Sequence, residues 1–230
     1  MADVLCVGAH PDDIEIGMGG TAAKAAASGR SVEFLSLTEA ECSSNGNPSI
    51  RRQEAAEAAS CIGAGHTIWT FPDRGLHLHS EDIRAELIQL IRSLRPGLVF
   101  APAAPDRHPD HETCGSLVRT ACFDAGVKKI GTGPPYRPEK LYYYQINGLG
   151  RPDTAVDISS TASLKREALQ CYASQFEGGS GQTATPLTKG YLDDTAARDR
   201  LYGREAGTEA AEGFQVEGLP ILPLFEEFSS

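Results

Sequence analysis

Short apolar runs alternate with longer amphipathic segments along the first half of this chain. Val4–Ala9 is apolar and unbroken, the pattern of a strand covered on both faces of a sheet. Val32–Leu37 repeats it, and Thr67–Phe71 and Leu98–Ala101 are shorter versions. Between these runs lie helical patterns. Alanine-rich Thr21–Ser28 stops at Gly29 and Ile50–Ile62 stops at Gly63, a residue type favoured just past a helix end. Ile83, Leu87, Leu90, Ile91 and Leu94 recur at helical spacing, with Ser80 as the expected N-cap and Pro96 beyond the end. His111–Asp124 is expected to form another helix. Strands alternating with helices in this way predict an α/β fold: a Rossmann-like, doubly wound, mostly parallel sheet with helices on both faces.

Past the proline- and glycine-rich turn at Gly131–Pro138, the pattern is less regular. Strands are expected near Leu141–Gln145 and Ala155–Ile158, and helices near Ala162–Ser174 and Tyr191–Arg204, as a C-terminal extension closely attached to the sheet. The low-complexity stretch Glu177–Gly181 is expected to be mobile. No internal repeat and no linker divides the 230 residues, so 1–230 is expected to be one domain.

Charge narrows the function classes. Lysine plus arginine number 21 against 31 aspartate plus glutamate, a formal charge of −10. That balance argues against nucleic-acid binding and against a polybasic membrane-surface role. No stretch approaches the ~20 apolar residues of a bilayer span, and the first residues lack the basic start and apolar core of a secretory signal. A cytoplasmic location is therefore expected. Cys6, Cys42, Cys61, Cys114, Cys122 and Cys171 are scattered without a C-x-x-C pair and are expected to be reduced. Cys6 and Cys122 sit at core positions.

Ionisable clusters fall at two of the expected strand ends, where open parallel sheets bind their ligands. The first strand leads into His10-Pro11-Asp12-Asp13-Ile14-Glu15, and the fourth into Asp106-Arg107-His108-Pro109-Asp110-His111. A catalytic zinc takes three imidazole or carboxylate ligands and keeps a fourth position for water. His10 and Asp13 can converge from one turn, with a third ligand from the other loop. Spacing alone leaves open whether that ligand is His108 or His111. Asp12, beside a ligand in sequence, must point elsewhere and is free to act as a base. The mixed nitrogen and oxygen set suits zinc, or ferrous iron, better than magnesium. Gly17-Met18-Gly19-Gly20 lacks the spacing of a dinucleotide loop, and close helix–sheet packing is its expected role. His66, His77 and His79 have no carboxylate at suggestive spacing and are expected at the surface. Tyr142–Tyr144 is expected on the sheet face.

The two clusters, His10-Pro11-Asp12-Asp13 and His108-Pro109-Asp110-His111, together resemble the paired signature of the LmbE/PIG-L family of zinc-dependent N-acetyl-sugar deacetylases. Ile14–Gly20, Ile50–Ala55 and the tail Ala211-Glu212-Gly213-Phe214 are also similar to that family. The tail is in the manner of the bacillithiol-biosynthesis branch, which deacetylates N-acetylglucosaminyl-malate. The resemblance implies His10, Asp13 and His111 as metal ligands and Asp12 as general base. It implies His108 as the group that stabilises the oxyanion, as a cation held by Asp110. It further implies Arg51, Arg107 and Tyr191 at the substrate, with the Arg51 guanidinium suited to a malate carboxylate. Arg51 and Arg52 could instead be a solvated helical turn paired with Glu54. The family also implies a small-molecule N-acetyl sugar as the partner and a homo-oligomeric state. The rival expectations are a deacetylase acting on diacetylchitobiose-type or other N-acetyl sugars, and a non-catalytic sugar-binding module.

Overall fold

The computed structural model describes residues 2–178 and 181–219. Its centre is a seven-stranded sheet built from β1 (Val4–Gly8), β2 (Val32–Ser36), β3 (Gly65–Ile68), β4 (Leu98–Pro102), β5 (Lys140–Tyr144), β6 (Thr154–Asp157) and β7 (Ala211–Val216). The strand order is β3-β2-β1-β4-β5-β7-β6. The first five strands pair in parallel, whereas β7 runs antiparallel between β5 and β6. The order therefore reverses between β1 and β4, which opens a crevice at their carboxyl ends.

Alternation along the strands makes two cores. Val4, Cys6 and Phe34 face one side, under α1 (Asp13–Ala27), α2 (Pro48–Ile62) and α5 (Ala162–Gln170). Leu5, Val7 and Leu35 face the other, under α3 (Ser80–Leu94) and α4 (Pro109–Ala125). With both faces covered, an unbroken apolar strand is what the sheet requires. Cys6, Cys114 and Cys122 are buried in these cores. The doubly wound, mostly parallel sheet expected from the hydrophobic pattern is the one observed.

Two expected elements have other bounds. Strand β3 begins two residues before Thr67 and ends at Ile68. Trp69 and Phe71 still donate N–H bonds to Ser36 and Leu37, but outside the regular ladder. The expected helix Ala162–Ser174 breaks after Gln170, and α6 (Ala173–Phe176) resumes as a separate turn before α7 (Tyr191–Ala206). The Ala211–Phe214 tail proves to be strand β7, with Phe214 buried in the first core. Within the Glu177–Gly181 stretch, 179–180 lie outside the described residues.

Helix α1 starts at Asp13, eight residues before the alanine-rich segment, and it is broken at Met18 (φ −152°, ψ 21°). Close approach dictates the glycines around the break. A Cβ on Gly17 would overlap the buried Tyr144 ring, and one on Gly20 would press on Ile158. In an unbroken helix the Gly20 N–H would bond the Ile16 carbonyl. Here it bonds Glu212 Oε1 at 3.0 Å, the Thr21 N–H bonds Glu212 Oε2 at 2.7 Å, and the Ile16 carbonyl accepts from Arg198 Nη2 at 2.7 Å. Two side chains from the C-terminal extension thus close the gap. Glu212 is itself paired with the buried Lys165 at 2.8 Å.

His66, expected at the surface, lies partly buried against Phe34, with Nε2 2.9 Å from Ser36 Oγ. Burial pushes its pKa down to about 4 from an ordinary 6.5. The unfolded chain takes up this proton below pH 6.5 and the folded chain only near 4, so stability is complete above 6.5 and is lost as pH falls between those values. Between pH 7 and 5 the wild type should lose about 2 kcal/mol more than His66→Gln. Urea unfolding at both values measures this; equal losses would contradict it.

Candidate active site

The carboxyl ends of β1 and β4 deliver the two ionisable clusters to one crevice. His10 to Asp13 turn from β1 into α1. Asp12 holds the left-handed conformation (φ 98°, ψ −26°), rare and strained for a residue with a side chain. That twist sends the neighbouring Asp12 and Asp13 carboxylates to different partners. On the other loop His108 is the N-cap of α4 and Pro109 its first residue. His111 therefore lies within the first turn. Packing holds that turn down: a Cβ on Gly115 would run into the Pro102 carbonyl oxygen of β4.

Asp13 is the meeting point. Its Oδ2 accepts the His10 N–H at 2.8 Å and lies 3.4 Å from His10 Nδ1, and its Oδ1 lies 3.1 Å from His111 Nε2. Ligand atoms about 2.0–2.1 Å from a tetrahedral zinc stand about 3.3 Å apart, and each imidazole has that spacing to Asp13, though to a different carboxylate oxygen. The outward nitrogens are also engaged: His10 Nε2 is 3.1 Å from Asp73 Oδ1, and His111 Nδ1 is 3.1 Å from Asp106 Oδ1. A carboxylate behind each imidazole fixes its orientation and tautomer, as is usual for metal-binding histidines. Among the described residues, two groupings bring one ligand atom from each of three side chains within 4.8 Å of one another, His10–Asp73–Asp110 and His10–His108–His111; both contain His10, and neither contains Asp13. The former gathers on the outward nitrogen of His10, which is 3.8 Å from Asp110 Oδ2.

Electrostatics favour positive charge here. Burial opposes a charged His10, yet Asp13, Asp110 and Asp73 hold its pKa well above the ordinary value. His111 is likewise buried but raised to about 9 by Asp13 and Asp106. Asp13, despite its burial, is held well below the usual carboxylate range by His111 and His10. His108 behaves oppositely. Burial, with His10 and His111 alongside, pushes it down to about 4, so the expected cationic His108 is disfavoured. Its Nδ1 accepts the Asp110 backbone N–H at 3.3 Å, which leaves the ring proton of the neutral form on Nε2. The Asp110 carboxylate does not hold His108; it accepts the Arg74 N–H at 2.6 Å.

Asp12 meets Arg51. Nη2 of that guanidinium lies 3.0 Å from Asp12 Oδ2 and also bonds the Pro11 carbonyl. Arg51 is 1% exposed, not solvated, and its Nε and Nη1 have no protein partner among the described residues. Glu54 instead binds Ser174, and Arg52 pairs with Glu39. Burial raises the Asp12 pKa, while Arg51 draws it down.

A cavity of about 390 Å³ covers this constellation, lined also by Arg74, Arg107 and Tyr191. Tyr191 bonds the Ile146 carbonyl through its hydroxyl at 3.1 Å. Every expected site residue except Asp110 lines the cavity. The supporting carboxylates Asp73 and Asp106 were not singled out by sequence reasoning. Asp106 lay within the second cluster without a role. Asp73 follows β3, a third strand ending at the same edge, and that position was the available signal.

Comparison with known proteins gives a consistent likeness. The sequence model of the PIG-L family, described as GlcNAc-PI de-N-acetylase, matches residues 5–122. The diacetylchitobiose deacetylase of Thermococcus kodakarensis is 30% identical over 230 residues, covering 92% of this chain and 82% of the relative. The probable N-acetyl-alpha-D-glucosaminyl L-malate deacetylase 2 of Bacillus subtilis is 26% identical, covering 76% and 84%. The crystal structure of the conserved protein TT1542 from Thermus thermophilus superposes with a TM-score of 0.86 at 39% identity, covering 96% of this chain and 97% of that one.

If Asp73 sets the orientation of a metal-binding His10, Asp73→Ala should weaken zinc binding about 10–100-fold. Competition with a chromophoric chelator measures this, and unchanged affinity would remove Asp73 from the site.

Proposed function

The chain belongs to the PIG-L family of GlcNAc-PI de-N-acetylases, and from that membership together with its site we propose that it is a metal-dependent hydrolase that removes acetate from an N-acetylglucosaminide. The observation that carries the reading is the Asp13 carboxylate set 3.1–3.4 Å from one nitrogen each of His111 and His10, with Asp12 beside it and turned away. His10, Asp13 and His111 would hold the ion, with zinc favoured and ferrous iron the alternative. When bound, zinc supplies Lewis acidity toward the amide carbonyl and lowers the pKa of a coordinated water to about 7.

The chain's own residues account for the proton movements. Asp12 takes a proton from the attacking water as its oxygen adds to the acetamide carbon. Asp12 keeps that proton until the C–N bond breaks and then returns it to the amine nitrogen. Arg51 keeps Asp12 oriented. Neutral His108 donates its Nε2–H to the carbonyl oxygen as negative charge gathers there, and the Asp110 backbone N–H fixes that tautomer. Acetate and a free amine result.

For the other end of the sugar we infer a carboxylate-bearing aglycone, with N-acetylglucosaminyl-malate as the substrate. Arg107 and Arg74 line the cavity, and neither is ion-paired with a carboxylate among the described residues; buried Arg51 adds two unpartnered donors. The probable N-acetylglucosaminyl-malate deacetylase of B. subtilis supports this choice. A diacetylchitobiose-type substrate is the second reading, favoured by the higher identity to the T. kodakarensis deacetylase. Tyr191 would contact either from the cavity wall.

Asp12→Asn should keep its zinc yet lose about 10²–10⁴-fold in turnover; near-wild-type acetate release with metal content confirmed would sink the base assignment. Chelator treatment should abolish release, whereas a non-catalytic sugar-binding module would show no acetate release before or after. Assayed side by side, N-acetylglucosaminyl-malate should exceed diacetylchitobiose about tenfold in kcat/KM, about 1.4 kcal/mol of transition-state binding. The opposite order would select the second reading.

A further inference from the structure

The break in α1 leaves the Ile16 carbonyl without its helical donor, and the group that takes it up belongs to neither metal-site loop. Arg198, on α7 and 7% exposed, donates Nη2–H to that carbonyl at 2.7 Å and Nη1–H to the Ile146 carbonyl at 2.8 Å. The two acceptors sit on opposite sides of the site. Ile16 is in the turn that begins at Asp13, and its own N–H bonds the Asp12 carbonyl at 2.9 Å. Ile146 precedes Asn147, whose backbone and side-chain N–H groups bond Asp106 at 3.3 and 2.9 Å, and Asp106 in turn contacts His111 Nδ1 at 3.1 Å. Ile16 and Ile146 both line the cavity.

We propose that Arg198 is a positioning residue for the metal site: its guanidinium fixes the turn carrying Asp13 relative to the Ile146–Asn147–Asp106 arm behind His111. This rests on the His10, Asp13 and His111 ligand set proposed above. A guanidinium suits the task because its planar fork offers two parallel donors in one rigid frame, which a lysine ammonium cannot reproduce. The two carbonyls are not equally dependent on it. Ile146 also accepts the Tyr191 hydroxyl at 3.1 Å, so loss of the guanidinium strips Ile16 above all. The arm that loosens is then the one bearing Asp12 and Asp13. Glu212 secures the far side of the same break, but within α1 it bonds Gly20 and Thr21, beyond the turn that carries the ligands. Ligand spacing therefore falls to Arg198, from a helix that contributes no ligand.

The test is zinc affinity, by competition between a chromophoric chelator and the full-length protein, so that no substrate needs to be known. Arg198→Met keeps the length of the side chain and removes both donors; it should weaken zinc binding about 10–100-fold. Arg198→Lys, which retains the charge but not the fork, should fall between, and it serves alone if Arg198→Met does not fold. Leu87→Ala hollows the other core, away from both arms, and is the control for general loss of stability. It should melt at a lower temperature yet bind zinc within about twofold of wild type. Wild-type zinc affinity in the arginine variants would overturn the proposal, as would an equal loss in Leu87→Ala. His111→Ala, run in the same titration, tests the premise separately: if it binds zinc normally, the ligand set fails rather than the role of Arg198.

Discussion

The Asp13 carboxylate joins the two halves of the sheet, and the site depends on how it is paired. An ionised carboxylate 2% exposed is costly to bury unless its oxygens are occupied. Here one oxygen meets the backbone N–H and imidazole of His10 at the end of β1, and the other meets His111, brought by α4 from the end of β4. The depressed Asp13 pKa and the raised values of His10 and His111 express one coupling seen from three groups. Asp73, Asp106 and Asp110 add negative charge behind the imidazoles. Their joint effect is a pocket that favours cations, with Asp13 3.1–3.4 Å from one nitrogen of each imidazole.

The neighbouring Asp12 and Asp13 pose the opposite problem, since adjacent carboxylates repel. The left-handed backbone at Asp12 separates them by direction, at a cost of order 1–3 kcal/mol that the surroundings must offset. Arg51 supplies that support, bonding both the Asp12 carboxylate and the preceding Pro11 carbonyl. Its guanidinium lies 5.3 Å from the centre of the Tyr172 ring, and Tyr172 donates to Glu15 at 2.9 Å. Burial raises Glu15 to about 7, so this carboxyl behind Asp12 is only partly ionised at neutral pH.

The architecture was legible because burial on both faces writes itself into continuous apolar strands, and because glycine and proline mark helix ends. The site was legible to the extent that its residues cluster at strand ends: His10, Asp12, Asp13, His108 and His111 were all expected, and all line one cavity. What stayed hidden depends on distance in sequence. Asp73 supports His10 from 63 positions away, and nothing in the spacing of either residue announces the contact. The part of Asp110 was misassigned because spacing shows proximity to His108 but not which atom makes the contact, here the backbone N–H. For Arg51 the solvated-turn alternative stayed open beside the substrate role, because the pattern of its helix does not reveal that its guanidinium turns inward to Asp12. His66 failed similarly: a histidine on a short edge strand carries no signal that a ring and a hydroxyl on the next strand enclose it.

The tail motif shows what a local pattern can mark without supplying chemistry. Strand β7 inserts antiparallel between β5 and β6, and its Glu212 becomes the N-cap of a half-helix nearly two hundred positions earlier. A carboxylate is suited to that place, because the first N–H groups of a helix are unsatisfied and its dipole favours negative charge there. Burial of Glu212 is tolerated because Lys165, itself paired with Asp199 at 2.8 Å, sits against it. One backbone hydrogen bond within α1 has thus been exchanged for contacts to Glu212 on one side and Arg198 on the other. The exchange transfers control of the turn bearing Asp12 and Asp13 from the helix itself to the C-terminal extension. An extension that carries neither ionisable cluster thus bonds the turn that bears Asp12 and Asp13.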